Sequence, residues 1–131
     1  MSNVLHVGYI GLGNIGKPSA RHLVRDGIQA HVYDVVPAAV EELVGLGATG
    51  HDDVASLAGA CSHIGICVRD DAQVEAVLYG DQGIFANAGN GTLVAIHSTV
   101  TREAVLRWSQ DAAAHGMALI DAAISAGAQG A

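Results

Sequence analysis

The chain has 131 residues, of which 50% are hydrophobic and 15% are charged, and its formal net charge is −7. This length suits a single domain with its own core, and so apolar a composition excludes disorder as a description of the whole chain. The negative charge and the lack of a basic patch in the sequence argue against nucleic acid or an anionic membrane surface as a partner.

Targeting and membrane signals are missing from the sequence. No basic region followed by a long apolar run stands near the N-terminus, and no apolar stretch approaches the ~20 residues of a membrane span. The two cysteines, Cys61 and Cys67, are predicted to be small buried hydrophobes. We therefore expect a cytoplasmic protein.

Apolar runs and amphipathic segments alternate in the first half of the chain. The predicted strands cover residues 5–10, 29–34 and, at best, 48–50. The predicted helices run from the first strand to a glycine cap at Gly27, over 38–46 behind Pro37, and from Asp52 or Asp53 through Ala58.

The second half continues the same alternation. Strands are predicted over residues 63–68, 92–97 and 117–120. Helices are predicted from Asp70 and Asp71 to Gly80 and over 102–115, with a loop-like stretch at 81–91 that has room for one turn near Ile84 and Phe85.

Strands that alternate with helices indicate an α/β fold with a parallel sheet and right-handed crossovers. The strands are rich in Val, Ile and Leu, and only 4% of the residues are aromatic, which suits a sheet buried on both faces. We predict a Rossmann-type doubly wound sheet of six strands in order 3-2-1-4-5-6, within three αβα layers. A ligand would then lie at the carboxyl ends of the first and fourth strands.

A glycine-rich turn joins the first strand to the first helix and is typical of pyrophosphate binding. One glycine would permit the tight turn, the second the close approach of phosphate oxygens, and the third close packing of the helix on the sheet. The free N–H groups of the first helical turn would hold the anion. The turn consists of Gly11, Leu12, Gly13, Asn14, Ile15 and Gly16.

Asp34 ends the second strand, 18 residues after Gly16. This spacing is close to the roughly 20 residues expected for the acid that binds the adenosine ribose. An ordinary glycine-rich turn would not explain an acid at this place. The next two residues are Val35 and Val36, so no arginine follows Asp34 to bind the 2′-phosphate of NADP. The sequence therefore favours NAD over NADP.

The other polar residues predict no second site. The seven histidines form no HxH or HxxxH pair, so we expect no metal. His97 ends the fifth strand, either as a satisfied strand-end histidine or in a polar role near the nicotinamide. The paired aspartates are typical of helix starts, and Ser98 lacks the glycines of a nucleophile elbow.

Three blocks, in order, give the chain a resemblance to the cofactor domain of the β-hydroxyacid dehydrogenases, the 3-hydroxyisobutyrate dehydrogenase and tartronate semialdehyde reductase group related to 6-phosphogluconate dehydrogenase. Residues 11–18, GLGNIGKP, resemble the family's GLGxMGxP. Residues 98–100, STV, resemble its S-T-[IV] element, and residues 121–127, DAAISAG, resemble its DAPVSGG.

The resemblance implies a role for each block. Residues 11–16 would hold the pyrophosphate and Asp34 the ribose hydroxyls. Val68 would pack along the adenosine, and Thr99 would lie near the nicotinamide ribose. The substrate carboxylate would be held by Ser125, Ala126 and Gly127.

The chain departs from the family at Ala123 and Ala126, where proline and glycine are usual, and at Arg69, where proline is usual. These changes leave the hydroxy acid open. The family's catalytic lysine has no counterpart, because the one lysine, Lys17, stands at the predicted pyrophosphate turn, directly after Gly16. We therefore expect residues 1–131 to form a dinucleotide-binding domain without the family's helical second domain and without a catalytic residue.

Two functions remain open at this point. The chain is either the cofactor domain of an NAD-dependent 3-hydroxyacid dehydrogenase, which moves a hydride between nicotinamide and a small carboxylate substrate, or a stand-alone dinucleotide-binding module or subunit without turnover. Apolar surface near the last strand would favour a homo-oligomer.

Overall fold

Strands and helices alternate throughout the computed structural model, which describes residues 4–12, 20–22, 24, 27–98 and 100–122. The strands are β1 (Leu5–Ile10), β2 (Ile28–Tyr33), β3 (Thr49–Gly50), β4 (His63–Ile66), β5 (Leu93–Ile96) and β6 (Ala118–Asp121). The helices are α1 (Pro37–Val44), α2 (Val54–Ala60), α3 (Asp71–Leu78), α4 (Ile84–Asn87) and α5 (Arg102–Ala114). The predicted helix between β1 and β2 lies largely outside the described residues.

The six strands of the described residues form one parallel sheet in the order β3-β2-β1-β4-β5-β6, which confirms the predicted topology. Ile10, at the end of β1, pairs with Tyr33 of β2 on one side and with Ile66 of β4 on the other. The strand order reverses between β1 and β4, so the carboxyl ends of these two strands flank the switch point where such sheets bind ligands.

Two apolar clusters lie on opposite faces of the sheet and confirm its double winding. Successive residues of a strand point to opposite faces, and Tyr9 belongs to one cluster while Ile10 belongs to the other. The Tyr9 cluster includes Leu43 of α1. The Ile10 cluster includes Leu57 of α2, Leu78 of α3 and residues of α4 and α5.

The ends of most elements differ from the prediction by one or two residues, and two of them illustrate the cause. Strand β4 ends at Ile66, because the N–H of Val68 donates to the Oγ of Ser98, 2.8 Å away, instead of continuing the ladder. Helix α1 ends at Val44, and the chain turns at Gly47 with a φ of 116°. The helical spacing of Val40, Leu43 and Val44 predicts that the three share one buried stripe, but only Leu43 is fully buried and Val44 is 45% exposed.

The paired aspartates begin helices, as predicted. Asp53 precedes α2, and its Oδ1 accepts from the N–H of Ser56 at 2.8 Å. Asp70 precedes α3, and its Oδ1 accepts from the N–H of Gln73 at 3.0 Å. Each carboxylate satisfies a backbone donor that the helix itself cannot pair.

In the described part of the chain, no helix is both long and apolar enough to cross a membrane.

Trp108 anchors α5 to the sheet, because it is fully buried and its Nε1–H donates to Glu75 of α3 at 3.0 Å. We expect Trp108→Ala to lower the free energy of unfolding by about 3–5 kcal/mol. The matched control is Leu106→Ala on the same helix, where the side chain is exposed and the loss should stay within about 0.5 kcal/mol. Urea denaturation measures both losses and is followed by circular dichroism, because Trp108 is the single tryptophan and its replacement removes the tryptophan fluorescence signal. Equal losses in the two variants would contradict the prediction.

Candidate functional site

The turn after β1 passes so close to the end of β4 that only glycine fits at its first position. Gly11 has a φ of 96°, in the left-handed region. A Cβ atom at Gly11 would lie 2.0 Å from the carbonyl oxygen of Cys67 and 3.2 Å from Cγ1 of Val68. The first glycine of the predicted motif therefore has both a conformational and a steric requirement.

The Asp34 carboxylate joins this turn to the end of β2. Its Oδ2 accepts from the N–H of Leu12 at 2.6 Å, and its Oδ1 accepts from the N–H of Val36 at 2.9 Å. An ionised carboxylate offers about four acceptor positions, so two backbone bonds leave capacity for two ribose hydroxyls. The carboxylate can therefore accept two further hydroxyl donors, which is what the predicted ribose-binding role of Asp34 requires.

Val68 is held beside the turn by a buried serine. The hydroxyl of Ser98, which is 3% exposed, accepts from the N–H of Val68 at 2.8 Å and so links the loop after β4 to the loop after β5. The resemblance singled out Ser98 only as part of a motif and predicted no such role. A small polar residue that follows an apolar strand was the one available signal.

One ring nitrogen of His97 is hydrogen-bonded at the end of β5, in agreement with the first of the two interpretations of the sequence. Its ring stacks on Tyr9, with ring centroids 5.6 Å apart and planes 13° apart. Its Nδ1 lies 3.1 Å from the carbonyl oxygen of Ala122, which can only accept, so Nδ1 carries the proton. Gly65 makes room for both rings, because a Cβ there would lie 3.0 Å from Tyr9 and 3.2 Å from His97.

Both cysteines are neutral thiols with no nucleophilic role in view. Burial raises the pKa of the Cys61 thiol to about 12. Burial also raises the pKa of Cys67, and a side-chain hydrogen bond with Tyr9 opposes that rise. A thiol whose pKa is raised is inert at neutral pH, in line with the prediction for Cys61, which is buried, whereas Cys67 is half-buried.

The structure brings four of the predicted site residues together at the carboxyl edge of the sheet, namely Gly11, Leu12, Asp34 and Val68. The remaining predicted residues lie outside the described part of the chain: Gly13, Asn14, Ile15, Gly16, Thr99, Ser125, Ala126 and Gly127. Among the described residues, no group of three histidine, cysteine or acidic side chains is arranged to hold a metal ion.

A surface cavity of about 440 Å³ opens at the opposite, amino edge of the sheet. It is lined by the start of β1, the end of α2 and the loop before β5. It therefore does not belong to the site formed by Gly11 and Asp34.

A parallel sheet in this order, with a left-handed glycine after β1 and an acid after β2, defines a dinucleotide-binding domain of the Rossmann type. Residues 6–131 match the family described as the NAD binding domain of 6-phosphogluconate dehydrogenase. The chain belongs to this family, and the predicted resemblance to the β-hydroxyacid dehydrogenases is confirmed.

Among curated relatives, the chain is 39% identical over 122 residues to an uncharacterized oxidoreductase of Mycobacterium tuberculosis, which covers 93% of this chain and 41% of the relative. It is 33% identical over 125 residues to the 3-hydroxyisobutyrate dehydrogenase of Pseudomonas aeruginosa, which covers 95% of this chain and 42% of that enzyme. The chain thus spans about two fifths of the length of these relatives.

Solved structures agree with the fold. The 3-hydroxyisobutyrate dehydrogenase of Salmonella typhimurium superposes with a TM-score of 0.89 at 30% identity, over 95% of this chain and 44% of that one. Another structure, Psf3 in complex with NADP+ and 2-OPP, superposes with a TM-score of 0.87 at 26% identity, over 94% and 44%. The fold alone therefore does not decide between NAD and NADP.

We expect Gly11→Ala to destabilise the domain more than a substitution at another left-handed glycine. Gly80 is the matched control, since its φ is 86° but nothing lies within 4 Å of an added Cβ. Gly80→Ala should cost about 1–2 kcal/mol of conformational strain. Gly11→Ala should cost about 1–3 kcal/mol more, because the backbone of Cys67 must move. Urea denaturation measures both, and equal costs would show that the contact with Cys67 relaxes freely.

Proposed function

We propose that this domain binds NAD at the carboxyl edge of the sheet. In this proposal Gly11, Leu12, Gly13, Asn14, Ile15 and Gly16 hold the pyrophosphate, Asp34 the adenosine ribose, Val68 the adenosine and Thr99 the nicotinamide ribose. The observation that carries it is the Asp34 carboxylate, which is fixed by the N–H groups of Leu12 and Val36 and keeps acceptor positions for hydroxyl donors.

The charge around Asp34 supports NAD over NADP. A carboxylate at this position repels a 2′-phosphate, and an NADP site needs a cation nearby. The two residues after Asp34 are exposed valines, with Val35 at 82% and Val36 at 54% exposure. No lysine or arginine occurs in the sequence between Asp34 and Arg69.

We infer that the reaction served by this domain is hydride transfer between nicotinamide and the hydroxyl-bearing carbon of a small 3-hydroxy acid. The family and the names of the relatives support this class. The bound nicotinamide supplies the redox chemistry. Ser125, Ala126 and Gly127 would hold the carboxylate of the substrate through hydroxyl and N–H donors.

We also propose that these 131 residues bind the cofactor without turning over a substrate. Their one lysine, Lys17, directly follows the glycine-rich residues 11–16 in the sequence, whereas by resemblance the family's general acid or base is a lysine after the block that begins at Asp121. This observation equally suits the second candidate, a dinucleotide-binding module or subunit. Self-association into a homo-oligomer and a location in the cytoplasm stay predictions from the sequence.

Calorimetric titration of the 131-residue chain with NADH and with NADPH tests the cofactor proposal. We expect NADH to bind saturably and more tightly than NADPH. Asp34→Ala should weaken NADH binding by roughly 10- to 100-fold, because hydrogen bonds to a charged group are worth about 1.5–3 kcal/mol. Asp34→Asn, which removes the charge and keeps an acceptor, should narrow the difference between NADH and NADPH.

Asp81→Ala is the control, since Asp81 is an exposed acid in the turn after α3 and should leave both affinities unchanged. Circular dichroism of each variant separates a lost contact from a lost fold. Tighter binding of NADPH than NADH by the unaltered chain would overturn the assignment of NAD.

Incubation of the same chain with NAD+ and 3-hydroxyisobutyrate tests the second proposal. We expect no increase in absorbance at the NADH band above the blank, although NADH binds. Turnover that is lost in Lys17→Ala would refute the argument from the position of that lysine. Turnover that survives this variant would point to a catalytic group elsewhere in the chain.

A further inference from the structure

Three histidines and a serine form a continuous line of hydrogen bonds that runs from β1 through β2 and the residue after β3 to α2. Nδ1 of His6 lies 2.9 Å from Nε2 of His31, and Nδ1 of His31 lies 2.8 Å from Nε2 of His51. Nδ1 of His51 lies 2.7 Å from Oγ of Ser56. The centroids of neighbouring rings are 5.2 and 5.1 Å apart. We name these four residues the histidine chain.

The histidine chain lies on the face of the sheet that α2 covers. His31 is 6% exposed and pairs in register with Gly8 of β1. A Cβ at Gly8 would contact Leu57 and Cys61, which places this face against α2. His6 is exposed and lines the cavity at the amino edge, so the chain meets solvent at that end.

Proton counting limits what the histidine chain can hold. Each link needs one N–H and one bare nitrogen, and a neutral imidazole supplies one of each. Any one of the three histidines can be protonated with both imidazole links intact, if the other two adopt the matching tautomers. A second proton, wherever it is placed, sets two N–H groups face to face across a link and breaks it.

Burial also disfavours a second proton on the histidine chain, because it lowers the pKa of two of the histidines. The pKa of His31 is lowered to about 4 by its burial and by the neighbouring His51 and His6. The pKa of His51 is lowered by burial, against the opposing effect of Asp53 and Asp52 at the start of α2.

The other titratable groups around the chain do not offset this effect. Cys61, which directly follows α2, is a neutral thiol because burial raises its pKa to about 12. At the His6 end, the carbonyl oxygen of His6 accepts from the hydroxyl of Ser62, which also bonds Nδ1 of His63.

We propose that the histidine chain is an acid-sensitive hydrogen-bonded connection between β1, β2, the residue after β3 and α2. Its hydrogen bonds stay intact while the histidine chain carries at most one proton, and one of them breaks when it takes up a second. In the unfolded protein the three histidines each gain a proton near pH 6.5, whereas the histidine chain of the folded protein accepts only one. The folded state therefore binds up to two protons fewer. Its stability is full above pH 6.5 and falls as the pH drops toward about 4.

Urea denaturation of the 131-residue chain between pH 8 and pH 5 tests the proposal. We expect the free energy of unfolding to be constant above pH 6.5. Below about pH 6, the folding equilibrium constant should fall by up to about 100-fold per pH unit. His31→Gln removes the centre of the chain and should flatten this dependence. His22→Gln, which removes an exposed histidine on none of the six strands, should keep the slope of the unaltered protein.

Imidazole NMR titration of the unaltered protein gives a readout that does not depend on the variant folding. The resonances of His31 and His51 should show no protonation until the pH falls well below 6.5. Protonation of both near pH 6.5 in the folded state would overturn the proposal. So would a pH dependence of stability that is the same in His31→Gln as in the unaltered protein.

Discussion

The passage of the β1 turn over the end of β4 is the constraint on which the candidate site depends. No side chain fits between Gly11 and the carbonyl of Cys67, so the turn lies directly against the neighbouring strand. This close approach brings the N–H of Leu12 within reach of Asp34 and places Val68 beside Gly11. The lack of a Cβ at Gly11 thus allows the close approach that brings the turn within hydrogen-bonding distance of Asp34.

The topology could be predicted from the sequence because its signals are local and repeated. Most strands are apolar runs, the longer helices have an apolar stripe, and Asp53 and Asp70 mark helix starts within one turn. The ends of elements were harder to predict, since tertiary bonds set them. Strand β4 stops at Ile66 because the N–H of Val68 donates to Ser98, 30 residues further along the chain.

The site divides along the same line. Gly11 and Asp34 belong to a spacing that sequence patterns record. Neither the bond from Val68 to Ser98 nor the histidine chain leaves such a record. His6, His31 and His51 are separated by 25 and 20 residues, far beyond the spacings of local metal or catalytic motifs. The parallel register of three strands brings them together, so their arrangement follows from the fold and is invisible before it.

The β1–β2 register connects the two edges of the sheet. The pairing runs without interruption from Leu5 with Ile28 to Ile10 with Tyr33. A slip of one residue would turn every side chain of one strand to the other face. It would carry His31 away from His6 at one end and shift the end of β2, with Asp34, relative to Leu12 at the other. A single register therefore satisfies both arrangements, and the contacts at each edge favour the pairing that the other edge needs.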